Sequence, residues 1–213
     1  MKILSVNAGS SSLKFQMYEM PEEKVLISGV FERIGIGNSF YTIKLNGEKI
    51  KKEREVSNHE DAVKILTEEL LENKVVSSLD EIEAIGHRMV HGGDKYQTST
   101  IIDEEVIKSS EELLELAPIH IPANLTGVRA FQKIIPNATA VAVFDTSFHQ
   151  TLPKEAYIYP VPYEWYEKYG VRKYGFHGTS HKYVSMRMNE ILGRTDTKII
   201  TCHIGSGGSV SAV

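Results

Sequence analysis

The chain has 213 residues, with 24 Lys and Arg against 28 Asp and Glu for a formal net charge of −4, and it is 41% hydrophobic and 24% charged. That apolar content can offset the entropy of ordering a core, which excludes a disordered chain, and the slightly acidic balance excludes the bulk electrostatics of a nucleic-acid binder. A single cysteine, Cys202, excludes an internal disulfide and a multi-cysteine zinc site, while no apolar run reaches the ~20 residues of a membrane-spanning helix.

The N-terminal third predicts strands. Lys2–Val6 is apolar and β-branched, Leu13–Tyr18 alternates apolar with polar residues, and a Gly-Ser-Ser-Ser turn separates the two. Val25–Ile34 follows the turn at Pro21. Asn46-Gly47 between Tyr41–Leu45 and Glu48–Val56 is a type I′ hairpin signal. Helices then begin to alternate with strands. Ser57 and Glu60 have capping-box spacing ahead of Val63, Leu66 and Leu70 at helical intervals. Ile82–Val90 predicts a strand ending in His91-Gly92-Gly93, and Asp103–Leu116 a helix stopped by Pro118. A second helix starts with Pro122 in its first turn and runs to Ile135, and Ala138–Phe144 reads as a buried strand that delivers Asp145 to its end. Beyond Thr151 come Pro153, Pro160 and Pro162 among five Tyr and Trp side chains, an irregular crossing that marks a domain boundary near residue 150. Thr179–Leu192 is a helix closed by Gly193. Lys198–Ile204 is a strand that leads into Gly205-Ser206-Gly207-Gly208-Ser209, after which alternation resumes to Val213, so the second domain is expected to continue. Cys202 is expected in a core.

Two small-residue turns could carry chemistry. Asn7-Ala8-Gly9-Ser10-Ser11-Ser12-Leu13-Lys14 offers backbone N–H groups, hydroxyls and an ammonium, the donors that hold phosphate oxygens. It is not a Walker loop, because a strand and not a helix follows. His203-Ile204-Gly205-Ser206-Gly207-Gly208 likewise brings bare backbone toward a ligand. Ligand-free hairpin turns have the same spacing. Together the two turns suggest two walls of one cleft. Arg88, in an otherwise apolar strand, could grip an anion with its forked guanidinium or pair with a carboxylate. Asp145 lies where open α/β sheets collect ligands. His177 just precedes a helix, and His177 and His181 share the i, i+4 spacing of a metal pair but lack the glutamate of His-Glu-x-x-His. His120, between Pro118 and Pro122, reads as a hydrogen-bonded loop residue or a catalyst.

Taken together, these segments resemble the acetate kinase family, within the sugar-kinase, Hsp70 and actin-like ATPases. Asn7–Lys14 is similar to its first signature and Cys202–Ser209 to its second, with Gly86–Gly93, Leu116–Leu125, Val143–His149 and Tyr174–His181 matching in order between them. The resemblance implies an α/β, actin-like (ribonuclease H-like) domain with a mixed sheet and flanking helices over residues 1–150. The opening of a similar second domain would occupy 151–213. It also implies transfer of a phosphoryl group between ATP and acetate with Mg²⁺ (or Mn²⁺), in a cytoplasmic homodimer that binds neither nucleic acid nor membrane. Propionate or butyrate kinases, and a non-catalytic phosphate-binding module, are the alternatives. On this resemblance Asn7 lies by the metal, while Ser10, Ser12 and Lys14 lie by the nucleotide phosphates. Arg88 lies on the substrate carboxylate. Asp145 is the active-site acid and His177 stabilises the transferring group. His203, Ile204, Gly205, Ser206, Gly207 and Gly208 form the second phosphate loop. Val90, Ile119 and Phe176 line the methyl pocket with His120 beside it. Ser206 and Ile121 stand where the family usually has Asn. Acetate is already ionised near neutral pH, so Asp145 suits a metal organiser better than a base. Residues 1–213 alone are expected to be inactive.

Overall fold

The computed structural model describes residues 1–205 and 207–213. The N-terminal stretch folds as an up-and-down run of β1 (Lys2–Ala8), β2 (Ser12–Glu19), β3 (Lys24–Glu32), β4 (Phe40–Leu45) and β5 (Glu48–Glu53). Each strand is antiparallel to the one before it. Asn46 and Gly47 both take positive φ, 51° and 86°, as the type I′ turn requires. Helix α1 (His59–Glu72) then leads to β6 (Ile82–Met89), which pairs in parallel with β1. The short β7 (Thr100–Ile101) precedes α2 (Glu104–Glu112) and α3 (His120–Ile134), and β8 (Thr139–Phe144) closes the set. These strands form one mixed sheet in the order β5-β4-β3-β2-β1-β6-β8-β7.

The chain divides into two compact units. Met1–Met89 with Thr100–Val143 form the first, and Val90–Ser99 with Phe144–Val213 the second. In the first, strand alternation puts Leu4, Val6, Leu13, Phe15, Met17, Ile27, Phe31 and Ile85 on one sheet face. There they meet Ala62, Val63, Leu66 and Leu70 of α1 and Phe131 of α3. Glu69 of α1 is also buried, but its carboxylate accepts bonds from the Tyr41 hydroxyl and Lys52 ammonium, both at 2.6 Å. The second unit contains the short helices α4 (Lys154–Tyr157) and α5 (Tyr163–Tyr169), then α6 (Gly178–Leu192), which lies against a two-stranded sheet of β9 (Ile200–Ile204) and β10 (Gly208–Ala212).

Several expectations need correction. The cap of α1 is Asn58, whose side chain accepts the Asp61 N–H at 2.9 Å, and not Ser57. Helix α2 ends at Glu112, four residues early, because Leu113, Leu114 and Leu116 make tighter i→i−3 bonds to Ser110, Glu111 and Leu113. Helix α3 begins at His120, which is therefore helical and not a loop residue. Pro122 is accommodated because first-turn N–H groups have no intrahelical partner. The aromatic crossing holds α4 and α5. Cys202 is exposed: it alternates with Thr201 and His203 on β9 and takes the opposite face.

Candidate functional site

In the first unit the Ser-rich turn is built by fixing its carbonyls. Asn124 Nδ2 of α3 donates to the Ala8 carbonyl at 2.9 Å, and His59 Nε2 lies 2.7 Å from the Gly9 carbonyl. Gly9 N–H donates across the turn to Ser12 O at 2.8 Å. Helix α3 comes close enough for this because Gly127 has no side chain: a Cβ there would stand 2.6 Å from that of Ala8. Ser10 is left exposed at the tip. Asn7 and Lys14 are direct cross-strand partners, so both point to the sheet face opposite the core, as does Ser12. On the parallel neighbour β6, His87 pairs with Val6 and packs edge-on against Phe131 of α3, which turns Arg88 to the same outer face. Asn7, Ser12, Lys14 and Arg88 thus share one face near the C-terminal ends of the parallel pair, where open α/β sheets bind ligands. Ile119 and His120 are exposed at the start of α3, with Ile121 buried beneath them.

The second unit assembles the other candidates. Asp145, 2% exposed, follows β8 directly, and its carbonyl accepts the N–H of Gly178, the first residue of α6, at 2.8 Å. A Cβ on Gly178 would fall 2.3 Å from that oxygen, so only glycine permits this clasp. His177, the cap of α6, has φ 56°. Its ring stacks on His203 at 4.1 Å, and a Cβ on Gly207 would meet it at 3.8 Å. His203 Nδ1 in turn lies 3.0 Å from Ser180 Oγ. Val90 is buried. Phe176 is exposed on one side and meets the edge of the buried His91, whose pKa burial pushes down. His203, Ile204, Gly205, Gly207 and Gly208 form the turn and strand edges of the β9–β10 hairpin, while Ser206 lies outside the described residues.

A chemically coherent set therefore exists in each unit: hydroxyls, an ammonium and a guanidinium on one sheet face of the first, a buried carboxylate and stacked imidazoles in the second. Among the described residues no three His, Cys, Asp or Glu side chains gather as a metal cage. No helix among them is long and apolar enough to cross a membrane. The sequence profile of the acetokinase family matches residues 2–213. The chain belongs to that family.

Acetokinase-family relatives align along its whole length. It is 56% identical over 214 residues to a protein named acetate kinase from Bacillus cytotoxicus, and 54% identical to the acetate kinase of Bacillus subtilis. Crystal structures of an acetate kinase from Porphyromonas gingivalis (TM-score 0.93, 47% identity) and a propionate kinase from Francisella tularensis (TM-score 0.94, 41% identity) match equally fully. Each comparison covers 100% of this chain and 54% of the relative, so the chain spans about half the length of the curated relatives it matches. The mixed α/β, actin-like class expected from the sequence is the class of these neighbours.

Several residues around the acetokinase motifs carry weight that spacing does not reveal. Thr146 Oγ1 accepts the Gly92 N–H at 3.0 Å, and Gln150 Nε2 donates to the Gly93 carbonyl at 2.8 Å, so the segment after Val90 is tied to the one after Asp145. His149, buried, lies 2.9 Å from the Phe176 carbonyl. His181 is 1% exposed and hydrogen-bonds Thr201 and Ser209. The usable signal was strand alternation: Ser209 pairs with His203 and Ser211 with Thr201, so all four share the hairpin face turned to α6.

Proposed function

We propose that the protein to which this chain belongs is an acetate kinase, transferring the γ-phosphoryl group of ATP reversibly to acetate to give ADP and acetyl phosphate. What carries the proposal is identity of about 55% to acetate kinases along the full chain. Residues 1–150 read as the N-terminal actin-like domain and 151–213 as the opening of the second, and the family resemblance extends to a cytoplasmic homodimer.

Phosphoryl transfer asks a protein mainly for alignment and neutralisation of charge. Lys14 and the hydroxyls of Ser10 and Ser12 suit the nucleotide phosphates. The loop His203–Gly208 suits them too, since glycines let a phosphate approach the backbone closely. Arg88 holds the acetate carboxylate through paired charge-assisted bonds. His120 stands beside the substrate, and Val90, Ile119 and Phe176 supply apolar surface for its methyl group. His177 faces the developing charge on the transferring group. The Asn7 amide and Asp145 carboxylate are hard oxygen donors fit for Mg²⁺ (or Mn²⁺), which is commonly held by one or two protein oxygens with phosphates and water. When bound, that ion would offset phosphate charge. Acetate brings no proton to remove, so Asp145 would help to hold that ion and would not act as a base.

The propionate kinase neighbour favours a second reading, a three-carbon substrate, since one methylene changes binding by only ~1–3 kcal/mol. An acyl phosphate assay on the complete protein with acetate, propionate and butyrate decides between them. Arg88→Ala should lower kcat/KM by about 100-fold or more, with Arg88→Lys a poor replacement. Absence of any Arg88-dependent product would leave only a phosphate-binding module. Residues 1–213 alone, about half the relatives' length, are expected to give no turnover.

A further inference from the structure

A line of hydrogen bonds runs through the second unit from the backbone of β10 to His177. Thr201 Oγ1 lies 3.4 Å from the Ser211 carbonyl oxygen and 2.7 Å from His181 Nδ1. His181 Nε2 lies 2.7 Å from Ser209 Oγ, which lies 2.8 Å from His177 Nδ1. The protons on this line can run in either of two directions. In the one that gives the Ser211 carbonyl oxygen, which only accepts, a side-chain donor, the Thr201 hydroxyl donates to Ser211. Having spent its one proton, Thr201 accepts from His181 Nδ1–H. A neutral imidazole then has a bare Nε2, which accepts the Ser209 proton. The Ser209 oxygen is left to accept from His177 Nδ1–H.

His181 suits a neutral link. Burial, reinforced by His149, His177 and His203, holds its pKa below the ordinary imidazole range. At the far end, His177 Nε2 is turned toward the glycine turn, where a Cβ on Gly207 would stand 3.9 Å away.

We propose that Thr201, His181 and Ser209 are positioning residues for His177, fixing one proton on its Nδ1 so that Nε2 is the nitrogen that gains or loses the second. Run in this direction, the line lets His177 become an imidazolium with its Ser209 bond intact. In the reverse direction Ser209 would donate to Nδ1, and His177 could hold only one proton, on Nε2. The direction therefore decides whether His177 can present a full positive charge from Nε2. Its value to phosphoryl transfer rests on the function proposed above; the proton placement itself does not.

Nitrogen-15 NMR of histidine-labelled residues 1–213 tests it without substrate, His177 and His181 being assigned by the signals lost in His177→Gln and His181→Gln. Above their titration midpoints both rings should show a protonated Nδ1 and a lone-pair Nε2. In Ser209→Ala the His177 proton should move to Nε2, the form preferred by free imidazole side chains, and Ser209→Thr should restore it. A wild-type spectrum with the His177 or His181 proton on Nε2 overturns the proposal, whatever the variants do. So does Ser209→Ala that keeps the His177 proton on Nδ1. Failure of the acyl phosphate assay would instead remove the catalytic reading and leave the relay standing.

Discussion

At His87, burial and basicity pull against each other. The ring is 3% exposed between β6 and Phe131, its Nε2 has no hydrogen-bond partner among the described residues, and burial alone pushes its pKa down to about 4 from 6.5. The unfolded chain therefore takes up a proton that the folded chain refuses. Stability from this group is complete above pH 6.5, and falls with decreasing pH until the folded ring titrates near 4, by on the order of 3 kcal/mol in all. Denaturant midpoints measured between pH 7.5 and 4.5 should fall accordingly, and His87→Leu should flatten that part of the profile. An unchanged slope in the variant would assign the acid sensitivity to other groups. One residue on, Arg88 points the opposite way, so the apolar strand pattern that hides His87 is what presents Arg88. Sequence makes that alternation legible; the buried, unpartnered nitrogen is not, because it depends on Phe131, far away in the chain. Asp145 is legible as a strand-end carboxylate in the same way. If it organises a divalent ion, Asp145→Asn in the complete protein should raise the Mg²⁺ requirement, and excess Mg²⁺ should recover part of the rate. A rate loss indifferent to metal concentration would return Asp145 to acid–base chemistry.

At the scale of elements, the strands of the first unit follow their period-two pattern almost to the residue. Helix ends are harder, since competing caps differ only by local side-chain geometry: Asn58 and Ser57 both suit the start of α1, and only Asn58 reaches the Asp61 N–H. Close approaches between elements are invisible in one sequence. Gly178 looks like an ordinary residue before a helix, yet its missing side chain lets α6 begin against the Asp145 carbonyl. Gly178→Ala should force these two apart and lower stability by ~1–3 kcal/mol, the usual range for overpacking, visible as a reduced Tm of the second unit. It should also weaken catalysis by the complete protein, because His177 is the residue immediately before it in the chain. An alanine variant with an unchanged Tm would show that the clasp is slack. Gly127 does the same for α3 and Ala8, and explains why the first Ser-rich turn can be held from behind by Asn124.

Across the whole molecule, the change in composition lies near residue 150, whereas the chain enters the second compact unit at Val90, leaves it after Ser99, and returns at Phe144. Nothing in composition marks Val90–Ser99, because its membership comes from contacts made about fifty residues later. Tyr96 stacks on Phe144 at 4.6 Å, a Cβ on Gly92 would enter the Phe144 ring at 2.8 Å, and Thr146 and Gln150 bond the backbone of Gly92 and Gly93. A fragment of residues 1–150 retains all of these and should melt cooperatively, whereas residues 1–143 lose every one and should melt at lower temperature. Equal melting curves would mean that the early segment needs no such support. The same interleaving has a consequence in time. At roughly 5–20 residues per second, the ribosome releases Tyr96 about 2–10 seconds before its stacking partner Phe144. For that interval the nascent chain presents an aromatic side chain and a glycine pair with nowhere to dock, which makes this stretch a natural point for a chaperone to hold the growing polypeptide.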